Sequence, residues 1–476
     1  MADAAGNRGH AQAWSGIGGL IAWALVGLGP WLAHIALEPH LASDQAMFVA
    51  LALAAVLMWI FRLTPDFVPG LVLILLVTLL DLVPRAVAFS GFQSQVFFLV
   101  FGIFVLAALL AETSWINRLE AMLVRRRAPF LARVGAVVAA GALLTLVVPS
   151  PLGRASMVQP LVHRFLNPTR MGHNALLAAA HVHATTLLST IILTGNPLNF
   201  VLIGLLSEQA RDRFEWLGWL VATSVAGLVC VAGFAVAMLV AAAALRRSEP
   251  ASADDAATAP PGPAPRRDPV RDWATLGLYA LLLAAILTRG VHQIPLEWIV
   301  LSLAMAVFFF SGLSLDTLRA RVDWPTLIFV ATVVAWGPML DHLGLAQLVA
   351  DRLPGLVPVF DRSVYLGLAL TMAGTIAVRL VVPGAPAFIL IASALLPLAG
   401  QIGISPWVLG FAVLTVSEGF VWPYQHGVLS QTTTMLDGDS IGYRMPALIA
   451  LNLFHLALRC AAVFASIPLW QALNLM

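Results

Sequence analysis

The chain has 476 residues, 60% of them hydrophobic and 11% charged, against roughly a quarter charged in soluble domains. That excludes a soluble globular class and indicates a polytopic membrane protein. The net charge of +2 offers no basic surface for nucleic acid. All 26 basic residues are arginine, so a Gly-rich loop ending in Lys-Ser/Thr, the ATP-phosphate cradle, does not exist here.

The polar stretch from Met1 to Gln12 lacks a signal-peptide cleavage pattern, and the first apolar span is expected to stay in the membrane. Apolar segments predict spans over 14–37, 45–63, 69–84, 95–113, 129–149, 175–194 and 216–245 in the first half. In the second half they fall at 272–289, 295–313, 325–345, 364–382, 387–402, 406–423 and 446–470. Several are short or broken, so the expected fold is all-α with about eleven transmembrane helices and two further pairs as re-entrant hairpins. Residues 246–271, rich in Ala, Pro, Asp and Arg, are too polar for a bilayer and read as a linker. The chain thus divides into an N-terminal segment with the first span (1–44), a first repeat (45–245), the linker (246–271) and a second repeat (272–476).

Arginine placement orients the spans. Arg118, Arg125, Arg126 and Arg127 follow the fourth span, beside a stretch from Ile116 to Leu123 expected to lie along the membrane surface. Arg246, Arg247, Arg266, Arg267 and Arg271 crowd the linker. The positive-inside rule puts both clusters, and so the linker, in the cytoplasm, with the protein multi-pass in the cell (inner) membrane. Cys230 and Cys460 lie within apolar segments, which argues against a disulfide framework.

The two halves carry matched interruptions. Leu146-Val147-Val148-Pro149-Ser150-Pro151 is mirrored by Leu380-Val381-Val382-Pro383-Gly384-Ala385-Pro386. Some forty residues further on, Thr194-Gly195-Asn196-Pro197-Leu198-Asn199 is matched by Pro423-Tyr424-Gln425-His426-Gly427. Backbone leaves helix at membrane depth only where it lines a cavity or is buried in protein, so paired breaks predict inverted-topology repeats around a transport site. Each hairpin tip restarts a helix whose first N–H groups form an anion site. Pro151 and Pro386 sit where a first helical turn tolerates proline, and Ser150, Gly384 and Ala385 are small enough to let a ligand reach the backbone.

Charged residues inside apolar runs mark the rest of the candidate site. Arg379 is expected to face a cavity or an internal partner; Arg154 is open between a cavity and a scaffold or interfacial role, and Arg459 is equally compatible with structure. Glu418 is a proton or cation site, or it neutralises Arg379 or Arg459. His181 and His183 lie about 200° apart around a helix and make a poor metal pair. Their polar stripes, His181 with Thr185 and Ser189, and His183 with Thr186 and Thr190, suit helix–helix hydrogen bonding. In the breaks, Asn196 and Asn199 offer amide groups to an ion or an anion, while Gln425 and His426 are candidates for substrate contact. There is no HExxH-type ligand spacing and no serine nucleophile beside a base on one helix, so an enzyme is not indicated.

Over residues 45–470 this layout resembles the divalent anion/sodium symporter family of the ion transporter superfamily. The features are a span followed by a surface helix (WINRLEAML, DHLGLAQLVA), a hairpin breaking near a proline, a helix with a late proline (RASMVQPL, FILIASALLPL), and a loop reading TGNPLNFVLIG. The resemblance implies a homodimer, a scaffold domain, and a transport domain moving as an elevator with a small anionic substrate held between the tips. The family's Ser-Asn-Thr motif, which binds substrate carboxylates and helps hold sodium, is not kept. The tips here read Ser150-Pro151-Leu152 and Gly384-Ala385-Pro386. Sodium coupling is therefore not carried over, and sodium and protons both stay open, with no other cofactor expected. The substrate-site set is Ser150, Pro151, Leu152, Arg154, Asn196, Arg379, Gly384, Ala385, Pro386, Gln425 and His426. The cation or proton set is Ser150, Gly195, Asn199 and Glu418. The expected activity is cation-coupled secondary transport of an organic anion, the alternative being an oxyanion or metalloid efflux carrier of the same superfamily.

Overall fold

The fold is given by a computed structural model, which describes residues 17–114, 129–248, 269–310, 314–345, 347–348, 355 and 357–476. The stretch from Ile116 to Leu123 and Arg118, Arg125, Arg126, Arg127, Arg266 and Arg267 lie outside these residues. Among the described residues every regular element is helical. Before the linker come α1 (Ile17–Leu37), α2 (Ser43–Ile60), α3 (Phe67–Leu79), α4 (Gln95–Ala111), α5 (Phe130–Thr145), α6 (Pro151–His163), α7 (Met171–Thr186), α8 (Pro197–Leu205) and α9 (Trp216–Ser248). After it come α10 (Pro269–Leu287), α11 (Leu296–Phe310), α12 (Trp324–Val334), α13 (Trp336–His342), α14 (Val364–Arg379), α15 (Gly384–Leu395), α16 (Pro406–Ser417), α17 (Gly427–Gly438) and α18 (Met445–Ala472).

Six helical stretches among the described residues are long and apolar enough to cross a membrane: Gly18–Leu37, Ser43–Ile60, Trp216–Leu245, Pro269–Leu287, Trp324–His342 and Met445–Ala472. Seven shorter apolar helices, of 10–17 residues, include the arms α5, α14 and α15 of the two broken hairpins. Proline explains two departures from the expected spans. The segment 325–345 divides at Ala335 into α12 and α13, because Pro338 has no N–H for the Val334 carbonyl. The segment 387–402 tightens into a 3₁₀ turn at Leu396–Leu398, around Pro397.

The chain forms two compact units, each drawing on both halves of the sequence: Met1–Phe97 with Trp324–Gly410, and Phe98–Asp323 with Phe411–Met476. In the first, Trp59 is the core anchor. Its ring meets Phe329 at 6.1 Å edge-on and Trp336 at 5.8 Å, and its Nε1 donates to Asp66 O at 2.7 Å. This unit carries the second hairpin tip, where α14 ends at Arg379 and α15 restarts at Gly384.

The second unit is built around α7, in which every residue from Gly172 to Thr186 is buried. A helix with no solvent face must be surrounded on all sides, and α7 packs against α5, α6, α9, α17 and α18. The approach of α5 is close enough to require glycine. A Cβ on Gly141 would stand 2.7 Å from Ala184 Cβ and 2.8 Å from the Ala184 carbonyl carbon. Five polar side chains near the end of this post, His181, His183, Thr185, Thr186 and Ser189, therefore sit inside protein, where each needs a hydrogen-bonding partner.

Candidate functional site

The first hairpin tip lies in the second unit. α5 ends at Thr145, and α6 begins at Pro151 with Ser150 as its N-cap, the Ser150 Oγ accepting from Gly153 N at 3.2 Å. Proline at the first helical position loses no bond, because that N–H has no intrahelical partner. Arg154 follows one turn later and is fully buried. Its Nη1 donates to Val148 O (2.5 Å), Pro149 O (3.2 Å) and Gly195 O (2.8 Å). Nη2 donates to Thr185 O (2.6 Å) and Ser189 Oγ (2.6 Å), and Nε to Thr185 O (3.0 Å). The guanidinium thus ties tip, first break and the end of α7 together, and all five of its N–H groups are engaged by protein oxygens.

Both broken helices stop where arginine takes their last carbonyls. Arg459 on α18 donates from Nη2 to Thr186 O (2.9 Å), at the end of α7, and from Nη1 to Thr415 O (3.1 Å), in the last turn of α16. A cation at a helix C-terminus is favoured by the dipole. Arg459 thus satisfies carbonyls at the ends of α7 and α16, which stop at Thr186 and Ser417, short of the spans expected to reach 194 and 423.

The two breaks then repeat one backbone design. After α7, a 3₁₀ turn at Leu193–Gly195 leads to extended Asn196 (φ −152, ψ 133) and into α8. After α16, a 3₁₀ turn at Pro423–Gln425 leads to extended His426 (φ −144, ψ 129) and into α17. Each extended residue caps its helix: Asn196 Oδ1 accepts from Leu198 N (3.0 Å) and His426 Nδ1 from Val428 N (3.2 Å). Each break is clamped from within. Asn199 Nδ2 donates to the carbonyls of Ser189 (2.7 Å), Ile192 (2.9 Å) and Leu193 (3.1 Å). Gln425 Oε1 accepts from Val421 N (2.7 Å) and Trp422 N (3.0 Å). A side chain at Gly195 would be crowded, since a Cβ would lie 3.0 Å from both Ser189 O and Thr145 Cγ2.

Glu418 joins the two breaks. It follows α16 directly, is 6% exposed, and its Oε2 accepts from Asn196 Nδ2 at 2.7 Å and stands 3.9 Å from His426 Nε2. One carboxylate oxygen is therefore shared by the capping residues of two helices from opposite repeats. Nearby, Leu152 of the tip lies against Gly427 at the start of α17, and Gln431 Nε2 donates to Ser156 Oγ of α6 at 2.9 Å.

Of the residues singled out from sequence, Ser150, Pro151, Leu152, Arg154, Gly195, Asn196, Asn199, Glu418, Gln425 and His426 gather within the second unit. Gly384, Ala385, Pro386 and Arg379 belong to the tip of the first. There Gly384 and Pro386 occupy the first turn of α15, and buried Arg379 donates to Val382 O at 3.1 Å. His181 bonds across helices, to Ala155 O (2.9 Å) and Thr432 Oγ1 (3.1 Å), as its polar stripe suggested. Asn452 and His455 were not singled out. Their signal is a polar face on apolar α18, where Asn452, His455 and Arg459 fall at i, i+3 and i+7.

No curated protein matches the chain. The sequence profile of the citrate transporter family, CitMHS, matches residues 16–416, nearly the whole chain. Together with the several apolar helices and the two broken, polar-lined segments, that match shows that the chain belongs to the citrate transporter family, multi-pass membrane proteins acting as secondary transporters of the citrate/carboxylate type.

Proposed function

We propose that this protein carries citrate or a closely related multi-carboxylate anion across the cell membrane, coupled to a cation and working by an elevator movement as a homodimer. The observation that carries the reading is Glu418, a buried carboxylate held between Asn196 and His426. An ionisable residue at membrane depth is by default a functional site. Protonation of Glu418 removes the negative charge between both helix caps and weakens the bond it accepts from Asn196, which links a proton to the two breaks.

Substrate carboxylates are received at the helix restarts. The first turns of α6 and α15 present unpaired N–H groups and partial positive charge. In the second unit Ser150, Pro151 and Leu152 form the tip, with Asn196, Gln425 and His426 as its polar groups; in the first unit Gly384, Ala385 and Pro386 form the tip, with Arg379 at the end of the preceding helix. Arg154 serves this site by holding the first tip in shape, its own donors being engaged.

A sodium reading has one specific support. Asn199 Oδ1 is buried without a hydrogen-bond partner, and an amide oxygen is the hard-oxygen chemistry a small cation needs. Ser150 and Gly195 are the adjoining members of that set. Uptake of labelled citrate into proteoliposomes decides between the ions. An imposed inward proton gradient is expected to drive accumulation with sodium absent. Accumulation that needs sodium at fixed pH would assign coupling to the Asn199 region instead. Expression should support growth on citrate; resistance to an oxyanion without citrate uptake would make the protein an exporter.

A further inference from the structure

Behind the second break, α18 presents Asn452, His455 and Arg459 on one buried face, and this face packs on α7. Asn452 is fixed in orientation, because its Nδ2 donates to Val421 O at 3.0 Å. Its Oδ1 is then the atom 2.9 Å from His183 Nε2. An amide oxygen only accepts, so His183 carries its hydrogen on Nε2. The other ring nitrogen, Nδ1, is buried with no hydrogen-bond partner, and a hydrogen there would be an orphaned donor. The His183 ring also stacks on Phe420, with centroids 5.3 Å apart and planes within 9°. Phe420 in turn lies 4.7 Å from the ring of His426. His455 stands edge-on to His183 at 4.2 Å.

We propose that His183 is a positioning residue of the transport site. Through Asn452 it fixes the Val421 carbonyl, and through Phe420 it fixes the ring of His426. A helix of the first repeat thereby sets the geometry of the break in the second. The inference rests on the reading of Glu418 and His426 as part of the transport site, and it goes beyond that reading by assigning control of their placement to α7. The role needs a donor at the Nε2 position, which ordinary core packing does not. The titratable and charged groups in electrostatic reach of the cluster are Cys230 on α9, Glu418 and His426 at the break, and His455, Arg459 and Cys460 on α18. A disturbed break therefore registers as a changed pH dependence of uptake.

Two measurements on the full-length protein test the proposal. The first is independent of what drives transport: ¹⁵N-histidine spectra of the wild type are compared with those of His183→Gln. The resonance lost in the variant is expected to show the Nε2–H tautomer across the physiological pH range; an Nδ1–H or doubly protonated ring would overturn the proposal. The second is citrate uptake into proteoliposomes, read as KM and pH midpoint. His183→Leu and Asn452→Leu are each expected to cut uptake roughly tenfold or more, the scale of a ~1 Å misplacement. The double variant should be no worse than either alone, because the two residues act as one unit. His183→Gln, whose amide N–H reaches the Nε2 position but which has no ring to set against Phe420, should recover the Asn452 arm and keep uptake well above that of His183→Leu. His183→Asn, too short to reach Asn452, should not. Additive losses, or Gln and Asn variants that behave alike, would reduce His183 to packing. Where the Leu variants fail to reach the membrane, the Gln and Asn pair decides. Should the wild type respond to sodium and not to pH, the proton reading fails, and citrate KM alone judges the positioning role.

Discussion

Glu418 and Arg154 show how differently two buried charges are used. The carboxylate of Glu418 accepts from the neutral donor Asn196 and has His426 beside it. Glu418→Gln keeps the shape and removes the titration. The variant is expected to lose accumulation driven by an inward proton gradient by at least about tenfold, the low end of what a positioned proton-transfer group contributes. Exchange of citrate for citrate, which moves no net proton, should persist. Gradient-driven accumulation in the variant at wild-type rate would remove Glu418 from coupling. Arg154 is instead enclosed by carbonyl and hydroxyl oxygens from three segments. A buried acceptor left unsatisfied costs about 1–3 kcal/mol, so Arg154→Ala, which strips several at once, should lower the melting temperature in detergent sharply. Arg154→Lys should recover only part, since one ammonium reaches fewer of those oxygens than a planar fork. An alanine variant as stable as the wild type would show that the tip does not need the guanidinium.

Among elements, what composition and periodicity carry was readable, and what side chains do at a distance was not. The apolar runs located the helices because burial in lipid demands about 20 apolar residues. The tips were visible because Pro149-Ser150-Pro151 and Pro383-Gly384-Ala385-Pro386 cannot continue a helix. The ends of α7 and α16 were invisible: Thr186 and Thr415 look like helix residues until Arg459, distant in sequence, takes their carbonyls. The partner of Glu418 was hidden in the same way, being 222 residues away at Asn196, and sequence offered only the arginines as candidates. The contact between α5 and α7 is a further case, since Gly141 is one of 36 glycines and only the structure shows Ala184 against it. Gly141→Val forces these helices apart and is expected to cost about 1–3 kcal/mol by overpacking. Because α7 offers its terminal carbonyls to Arg154 and Arg459, citrate KM should rise as well. A stability loss with unchanged KM would mean the end of α7 is insulated from its middle.

At the scale of the whole molecule, charge predicts the orientation. Arg246 and Arg247 end α9, Arg266 and Arg267 follow in the sequence between, and Arg271 sits in the first turn of α10. Positive segments between spans are expected on the cytoplasmic side. Because α9 and α10 are both long and apolar enough to cross the membrane, the Trp216 end of α9 and the Leu287 end of α10 are then expected outside. Trypsin, which cuts after arginine, reads this directly. Added to inside-out vesicles it is expected to cleave within 246–271 and at the other cytoplasmic cluster, Arg118 to Arg127, leaving the second half of the chain as one fragment and the first half shortened. Added to right-side-out vesicles it should leave the chain whole. Cleavage from the outer face alone would invert the topology, and an inward proton gradient would then have to be applied from the opposite side in every uptake experiment proposed for Glu418 and His183.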